Sequence, residues 1–172
     1  FDNDKFISFK NTHVINQKPG TDLKYILALI NSTLLNFYFQ YLNPETGEAL
    51  AEVKKENVEK LLIREPKTEN PFVTLVEYIL LNKKQRIDTT FFQRLIDAMV
   101  YELYLPEEIK AGGAGVLKHL TNLSELKEGQ DDKNLKTIEM VYKELSDPKH
   151  PISAALLKLL TIEEVNIIEG RK

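Results

Sequence analysis

The chain has 172 residues, 23 Lys and Arg against 26 Asp and Glu, a net charge of −3, and no cysteine. That length supports a real buried core, and the mixed, mildly charged composition is that of a globular protein rather than a disordered or fibrous one. The absence of cysteine excludes disulfides, thiolate metal sites and a cysteine nucleophile. Charge is spread evenly: 8 basic and 9 acidic groups over residues 1–66, 5 and 5 over 67–105, and 10 and 12 over 106–172. No segment carries the basic stripe of a self-sufficient, non-specific nucleic-acid binder.

Residues 5–16, KFISFKNTHVIN, alternate Phe6, Ser8 and Lys10 against Ile7, Phe9 and Asn11, which predicts extended structure. Residues 22–41, DLKYILALINSTLLNFYFQY, form the longest apolar run. Leu23, Ile26, Leu27, Ile30, Leu34, Phe37, Tyr38 and Tyr41 recur at helical spacing, and Leu29, Leu35 and Phe39 fall on other faces. This pattern predicts one long helix, capped by Thr21 and buried on most of its circumference. Asp22, Lys24, Asn31, Ser32, Asn36 and Gln40 within it argue against a membrane span. Residues 48–53 read as a short strand or arm, Lys54 to Glu59 as one helical turn with Val58 inward, and Leu61-Leu62-Ile63 as a strand.

Asn70-Pro71 is a helix start, with Asn as cap and Pro at the first position. Phe72, Val73, Val76, Ile79 and Leu80 form one stripe, and Phe92, Leu95, Ile96, Met99, Val100 and Leu103 form a second. Together they predict an antiparallel helical hairpin closed by Pro106. Further on, Gly112-Gly113-Ala114-Gly115 reads as a flexible break, followed by a helix over 116–126 and a polar loop over 128–134. Helices are expected over 135–145 and 152–160, and Thr161 to Glu164 has the form of a capping box before a last short helix.

Catalytic and metal-binding patterns are weak. His13, His119 and His150 lie far apart without ligand spacing, and Gly112 to Gly115 lacks the Lys-Ser/Thr ending of a phosphate loop. Asn70-Pro71-Phe72 echoes the Asn-Pro-Pro-Tyr/Phe loop of amino-methyltransferases, but a capped helix with proline at its start accounts for those residues. Phe37, Tyr38, Phe39 and Tyr41 suit either a base-stacking platform or a core. Lys5, Lys10, Asn11, Thr12, His13, Gln17 and Lys18 are side chains of the types that read phosphates and base edges, and they equally suit a solvated hairpin edge.

The run YILALINSTLLNFYFQYL, then a Gly-containing turn, an arm with Val53-Lys54-Lys55, and Val58-Glu59-Lys60-Leu61-Leu62-Ile63, carries a family pattern. It resembles the TaqI-like C-terminal specificity domain, the target-recognition domain of type II restriction–modification DNA methyltransferases. Family members place a Leu-Asn-Ser-Lys-Leu pattern on an apolar helix, then an aromatic-rich end, an arm and a Leu-Pro-Ile-Pro strand. The departures are Ile30 before Asn31-Ser32, Leu62 in place of a proline, and Arg64-Glu65 before Pro66. Val100-Tyr101-Glu102-Leu103-Tyr104 also fits the helical pair that follows the recognition strands. The similarity covers roughly residues 1–110.

The resemblance implies an α+β fold: a small N-terminal mixed strand/helix recognition subdomain over 1–66, followed by a mainly α-helical C-terminal part. That part comprises a helical hairpin over 67–105 and, beyond the reach of the resemblance and from periodicity alone, a helical extension over 106–172. The implied function is DNA sequence recognition, non-catalytic by itself, in a bacterial, cytoplasmic, adenine-specific methyltransferase with or without a nuclease. The implied partners are double-stranded DNA and an upstream methyltransferase domain of the same chain. S-adenosylmethionine would belong to the parent enzyme, and no cofactor to this part. The base-reading segments would be Lys5, the loop Lys10 to Lys18 and the arm carrying Lys54 and Lys55, with Asn31 and Ser32 as structural polar groups. The rival expectation is a helical assembly module that docks the methyltransferase against a partner subunit or nuclease.

Overall fold

A computed structural model describes residues 15–16, 20–43, 54–65 and 69–171. Helices make up 65% of it, and no strand occurs among the described residues, which overturns the mixed strand/helix N-terminal subdomain. The elements are α1 (Leu23–Ile30), α2 (Thr33–Leu42), α3 (Lys55–Val58), α4 (Asn70–Lys84), α5 (Thr90–Tyr104), α6 (Pro106–Ala111), a 3-10 turn (Leu117–His119), α7 (Asp131–Leu145), α8 (Pro151–Leu159) and α9 (Glu163–Ile168). Of the extended structure expected over 5–16, residues 5–14 lie outside the described residues, as does the expected strand or arm over 48–53.

The expected long helix is two helices. Asp22, rather than Thr21, caps α1, its carboxylate accepting from Lys24 N–H at 2.7 Å. At the break, Ser32 is 1% exposed and makes two bonds of opposite sense. Its Oγ donates to Leu29 O at 2.6 Å and accepts from Leu35 N–H at 3.3 Å. A side-chain oxygen that satisfies a free first-turn N–H is what an N-cap requires, so Ser32 ends one helix and starts the next. Asn31 is the C-cap of α1 and Ser32 the N-cap of α2.

Tyr25, Ala28 and Leu29 form the buried stripe of α1, which packs on α4. The Tyr25 and Phe72 rings meet edge to face at 5.2 Å. The α4–α5 hairpin is present as expected, and Tyr78 meets Phe92 at 5.5 Å across it. One buried cluster continues from α1 and α2 through this hairpin to Ile138, Val141 and Leu145 of α7 and to Ile152, Leu156 and Leu159 of α8.

The segment Leu61 to Ile63 is not a strand. Tyr104 Oη donates to Leu62 O at 2.5 Å and accepts from Arg64 N–H at 3.1 Å, and Tyr25 Oη donates to Arg64 O. Arg64 Nη1 reaches Leu103 O at 3.0 Å. Backbone groups that a sheet would have paired are thus satisfied by side chains, and the segment lies as a strap against α1 and the end of α5. The turn before it, α3, buries Asn57 rather than Val58.

Gly112 to Gly115 is a built turn rather than a flexible break. Gly113, at φ 63°, ends α6, with Ala114 N–H bonded to Ile109 O and Gly113 N–H to Lys110 O. That pair of bonds closes a helix end with a left-handed residue, which suits glycine. Glu102 then accepts from Val116 N–H at 2.6 Å and Leu117 N–H at 2.8 Å, and a Cβ on Gly115 would come within 3.1 Å of its carboxylate. The expected 116–126 helix is reduced to the 3-10 turn at 117–119. The Asn134 amide holds the loop ahead of α7 by bonding both Lys127 N–H and Lys127 O. No side-chain capping box forms at Thr161 to Glu164, because Thr161 Oγ1 turns back to Lys158 O.

Candidate functional site

The residues expected to meet DNA are placed only in part. Lys5, Lys10, Asn11, Thr12, His13, Gln17 and Lys18 lie outside the described residues. Lys54 and Lys55 are exposed at the start of α3, which touches α2. Lys55 pairs with Glu59 at 3.3 Å one turn on, both side chains largely in water. Such a pair is worth less than about 1 kcal/mol, so a stronger anion displaces the carboxylate readily.

The helix that α3 touches is not buried all round. In α2 only Leu35 is buried, while Phe37 is 43% and Tyr41 82% exposed. Leu62 and Ile63 of the strap are exposed as well. The strap is nevertheless fixed, because the Tyr104 hydroxyl bonds Leu62 O and Arg64 N–H and its ring carries the Arg64 guanidinium at 5.5 Å. The α2–α3 face therefore combines exposed aromatic rings with exposed ammonium groups on a strapped backbone. Exposed lysines of this kind suit backbone phosphates, which position a protein on a duplex.

A second cluster joins residues that sequence reading kept apart. Asp97 of α5 accepts from Thr33 N–H at 2.7 Å and Thr33 Oγ1 at 3.0 Å, which places a carboxylate on the first turn of α2. Tyr101, one turn further along α5, donates to Glu169 at 3.1 Å, and Glu169 pairs with Arg171 at 2.5 Å. Burial raises the Asp97 carboxyl against the pull of its Thr33 bonds, and burial beside Glu169 and Asp97 raises the Tyr101 phenol as well. Every group here has a structural partner except Arg171 Nε, and the cluster ties α2, α5 and the end of the chain together. Partners 64 and 68 residues apart leave no mark in local sequence patterns.

His119 and His150 also meet, with rings 6.3 Å apart, although they are distant in sequence. His150 Nδ1 accepts from Ile152 N–H at 3.2 Å and so caps α8 ahead of Pro151. Burial, Lys118 and His150 together lower the His119 pKa. Among the described residues no group of three or more His, Asp or Glu could hold a metal ion, and no helix is long and apolar enough to cross a membrane. No protein-family pattern, curated protein or solved structure matches the chain.

Proposed function

We propose that the chain is a non-catalytic DNA target-recognition module of a restriction–modification adenine methyltransferase. The observation that carries this reading is the α2–α3 face, where exposed Lys54 and Lys55 stand on a helix that touches the aromatic-rich α2. The resemblance centred on Asn31-Ser32 gains support from the cap that Ser32 builds. In this reading the upstream methyltransferase domain of the same chain supplies S-adenosylmethionine and the chemistry. It also supplies much of the phosphate attraction that a chain of net charge −3 lacks. The module presents side chains to double-stranded DNA and fixes which site is held for base flipping.

Electrophoretic mobility shifts with duplex DNA at two salt concentrations test it. Weak binding that falls steeply with salt is expected, and Lys54→Glu with Lys55→Glu should abolish it. Retained, salt-dependent binding by that double variant overturns the role of this face.

A second reading, assembly against a partner subunit or nuclease domain, is favoured by a different observation. Leu157 is 65%, Leu160 42% and Ile167 59% exposed on α8 and α9 and at their junction. Loss of a defined stoichiometric complex between the parent enzyme and that subunit or nuclease in Leu157→Glu, with DNA binding intact, would favour that reading over the first.

A further inference from the structure

We infer that the cavity between the α4–α5 turn and α7 is a binding site for a neutral, flat heteroaromatic molecule with an amide-like edge, of the kind an adenine nucleoside presents. The cavity measures about 700 Å³ and is lined by Asn82, Ile87, Phe91, Phe92, Leu135 and Tyr142 among others. That volume suits a small organic ligand.

Its walls are rings. Phe91 meets Tyr142 edge to face at 5.2 Å, and Phe92 meets Phe91 at 5.7 Å and Tyr142 at 6.3 Å. Tyr142 and Ile87 remain 46% and 47% exposed, so the rings and the aliphatic wall have apolar surface left to cover. The signal that identifies the ligand class is Asn82. It is 4% exposed and lines the cavity. Its backbone carbonyl is occupied, accepting from Ile87 N–H at 2.9 Å and Gln85 N–H at 3.1 Å. Its side-chain amide, by contrast, makes no hydrogen bond with any described residue. Arg171 Nε is the one sealed, unpartnered side-chain atom among the described residues, so the Asn82 amide keeps access to water and can exchange that water for a ligand edge. A ligand edge that offers a donor beside an acceptor would satisfy both of its ends, as adenine does for asparagine. Stacking against the aromatic walls supplies the rest.

Charge narrows the class further. Asp88, Asp132 and Glu139 border the cavity, against Lys136 alone. Asp88 is already bonded to Thr90 at 2.7 Å, and Glu139 to Lys143 at 2.6 Å. No cluster of cations awaits a phosphate, so the ligand is a nucleoside-like molecule rather than a nucleotide or a nucleic-acid strand. The site is separate from the α2–α3 face and does not rest on the DNA reading.

Calorimetric titration of the whole chain with adenosine, adenosine monophosphate and indole tests the assignment, with amide shifts read by NMR. The expected result is saturable adenosine binding, weaker binding of the monophosphate and of indole, and shifts confined to residues lining the cavity. Asn82→Leu keeps the size of the side chain and should weaken adenosine at least about tenfold. Tyr142→Ala, at a half-exposed wall, should weaken it as well without threatening the fold. The inference is overturned by no saturable adenosine binding at millimolar concentration. Tighter binding of the monophosphate, equal binding of indole, or an unchanged affinity in both variants would overturn it too.

Discussion

Replacing Ser32 with alanine is the sharpest test of the break between α1 and α2. The hydroxyl donates to Leu29 O at 2.6 Å and accepts from Leu35 N–H at 3.3 Å in a site 1% exposed. Loss of an N-cap costs about 1 kcal/mol, and loss of a second buried bond about another. Leu29 O keeps the Ser32 N–H at 3.0 Å, so it is not orphaned, and the total settles near 2 kcal/mol. For a domain of this size that is a fall in Tm of roughly 4–8 °C. The comparison is Asn31→Ala, which removes a bond from Nδ2 to Leu27 O at 2.9 Å on an exposed residue. Surface changes of that kind stay within about 0.5 kcal/mol. Urea unfolding followed by circular dichroism measures both. If Ser32→Ala lies within about 0.5 kcal/mol of the parent, or Asn31→Ala costs as much, the cap is not what holds the two helices at their angle.

Three further outcomes follow from particular bonds. Tyr104→Phe removes one donor and one acceptor from the strap, should cost about 1–2 kcal/mol, and should open residues 62–65 to protease faster than the helices; unchanged cleavage there would refute the strap. Arg86 takes the left-handed position that ends α4, at φ 59°, with Ile87 N–H to Asn82 O and Arg86 N–H to Lys83 O completing the turn. Arg86→Gly should therefore raise the urea midpoint, by an amount corresponding to about 0.5–1 kcal/mol, and a fall would contradict it. Asp97 has its folded pKa raised, mainly by burial, so its neutral form favours the fold. Its stability contribution is greatest below the unfolded value and is lost as pH rises through the folded one. The difference in unfolding free energy between the parent and Asp97→Asn should shift toward the parent as pH falls from about 7.5 to about 4.5. A shift toward the variant would refute that sign.

The helical part of the fold was legible wherever a stripe ran uninterrupted. Phe92, Leu95, Ile96 and Met99 are all buried at the spacing that predicted α5, whereas α4 starts one residue earlier than expected, with Glu69 rather than Asn70 at the cap position and no side-chain cap bond. Residues 22–41 misled because the apolar period continues across Asn31-Ser32, so periodicity cannot register a break that a single hydroxyl makes. The available signal was Ser32 itself, a strong cap former placed three residues before a core leucine. Leu61-Leu62-Ile63 has the composition of a strand, but nothing local reveals that Tyr104 and Tyr25 satisfy its backbone. Glycines at 112, 113 and 115 suggested looseness, whereas the ordering partner, Glu102, lies 13 residues before the last of them. In the candidate site the lysines of α3 could be named from sequence, but the Asp97–Glu169 cluster and the Asn82 cavity could not, since both are made only by tertiary contact.

The strap changes the argument for the α2–α3 face more than the loss of the strands weakens it. A recognition surface must hold its side chains in a fixed register, and a sheet would have done so with ladder bonds. Under the proposed function the same task would fall to Tyr104, whose hydroxyl bonds Leu62 O and Arg64 N–H, and to Tyr25, whose hydroxyl bonds Arg64 O. These anchors lie at the C-terminal end of α3, while Lys54 and Lys55 stand at its N-terminal end. A freed strap therefore leaves the charges of α3 in place and removes only their orientation. Tyr104→Phe should consequently spare salt-dependent, sequence-independent binding to DNA while eroding discrimination between sites in the parent enzyme. The Lys54→Glu, Lys55→Glu pair should do the reverse, lowering affinity for all sequences alike. If Tyr104→Phe instead lowers affinity uniformly and leaves discrimination intact, the strap serves stability alone and the face does not read sequence.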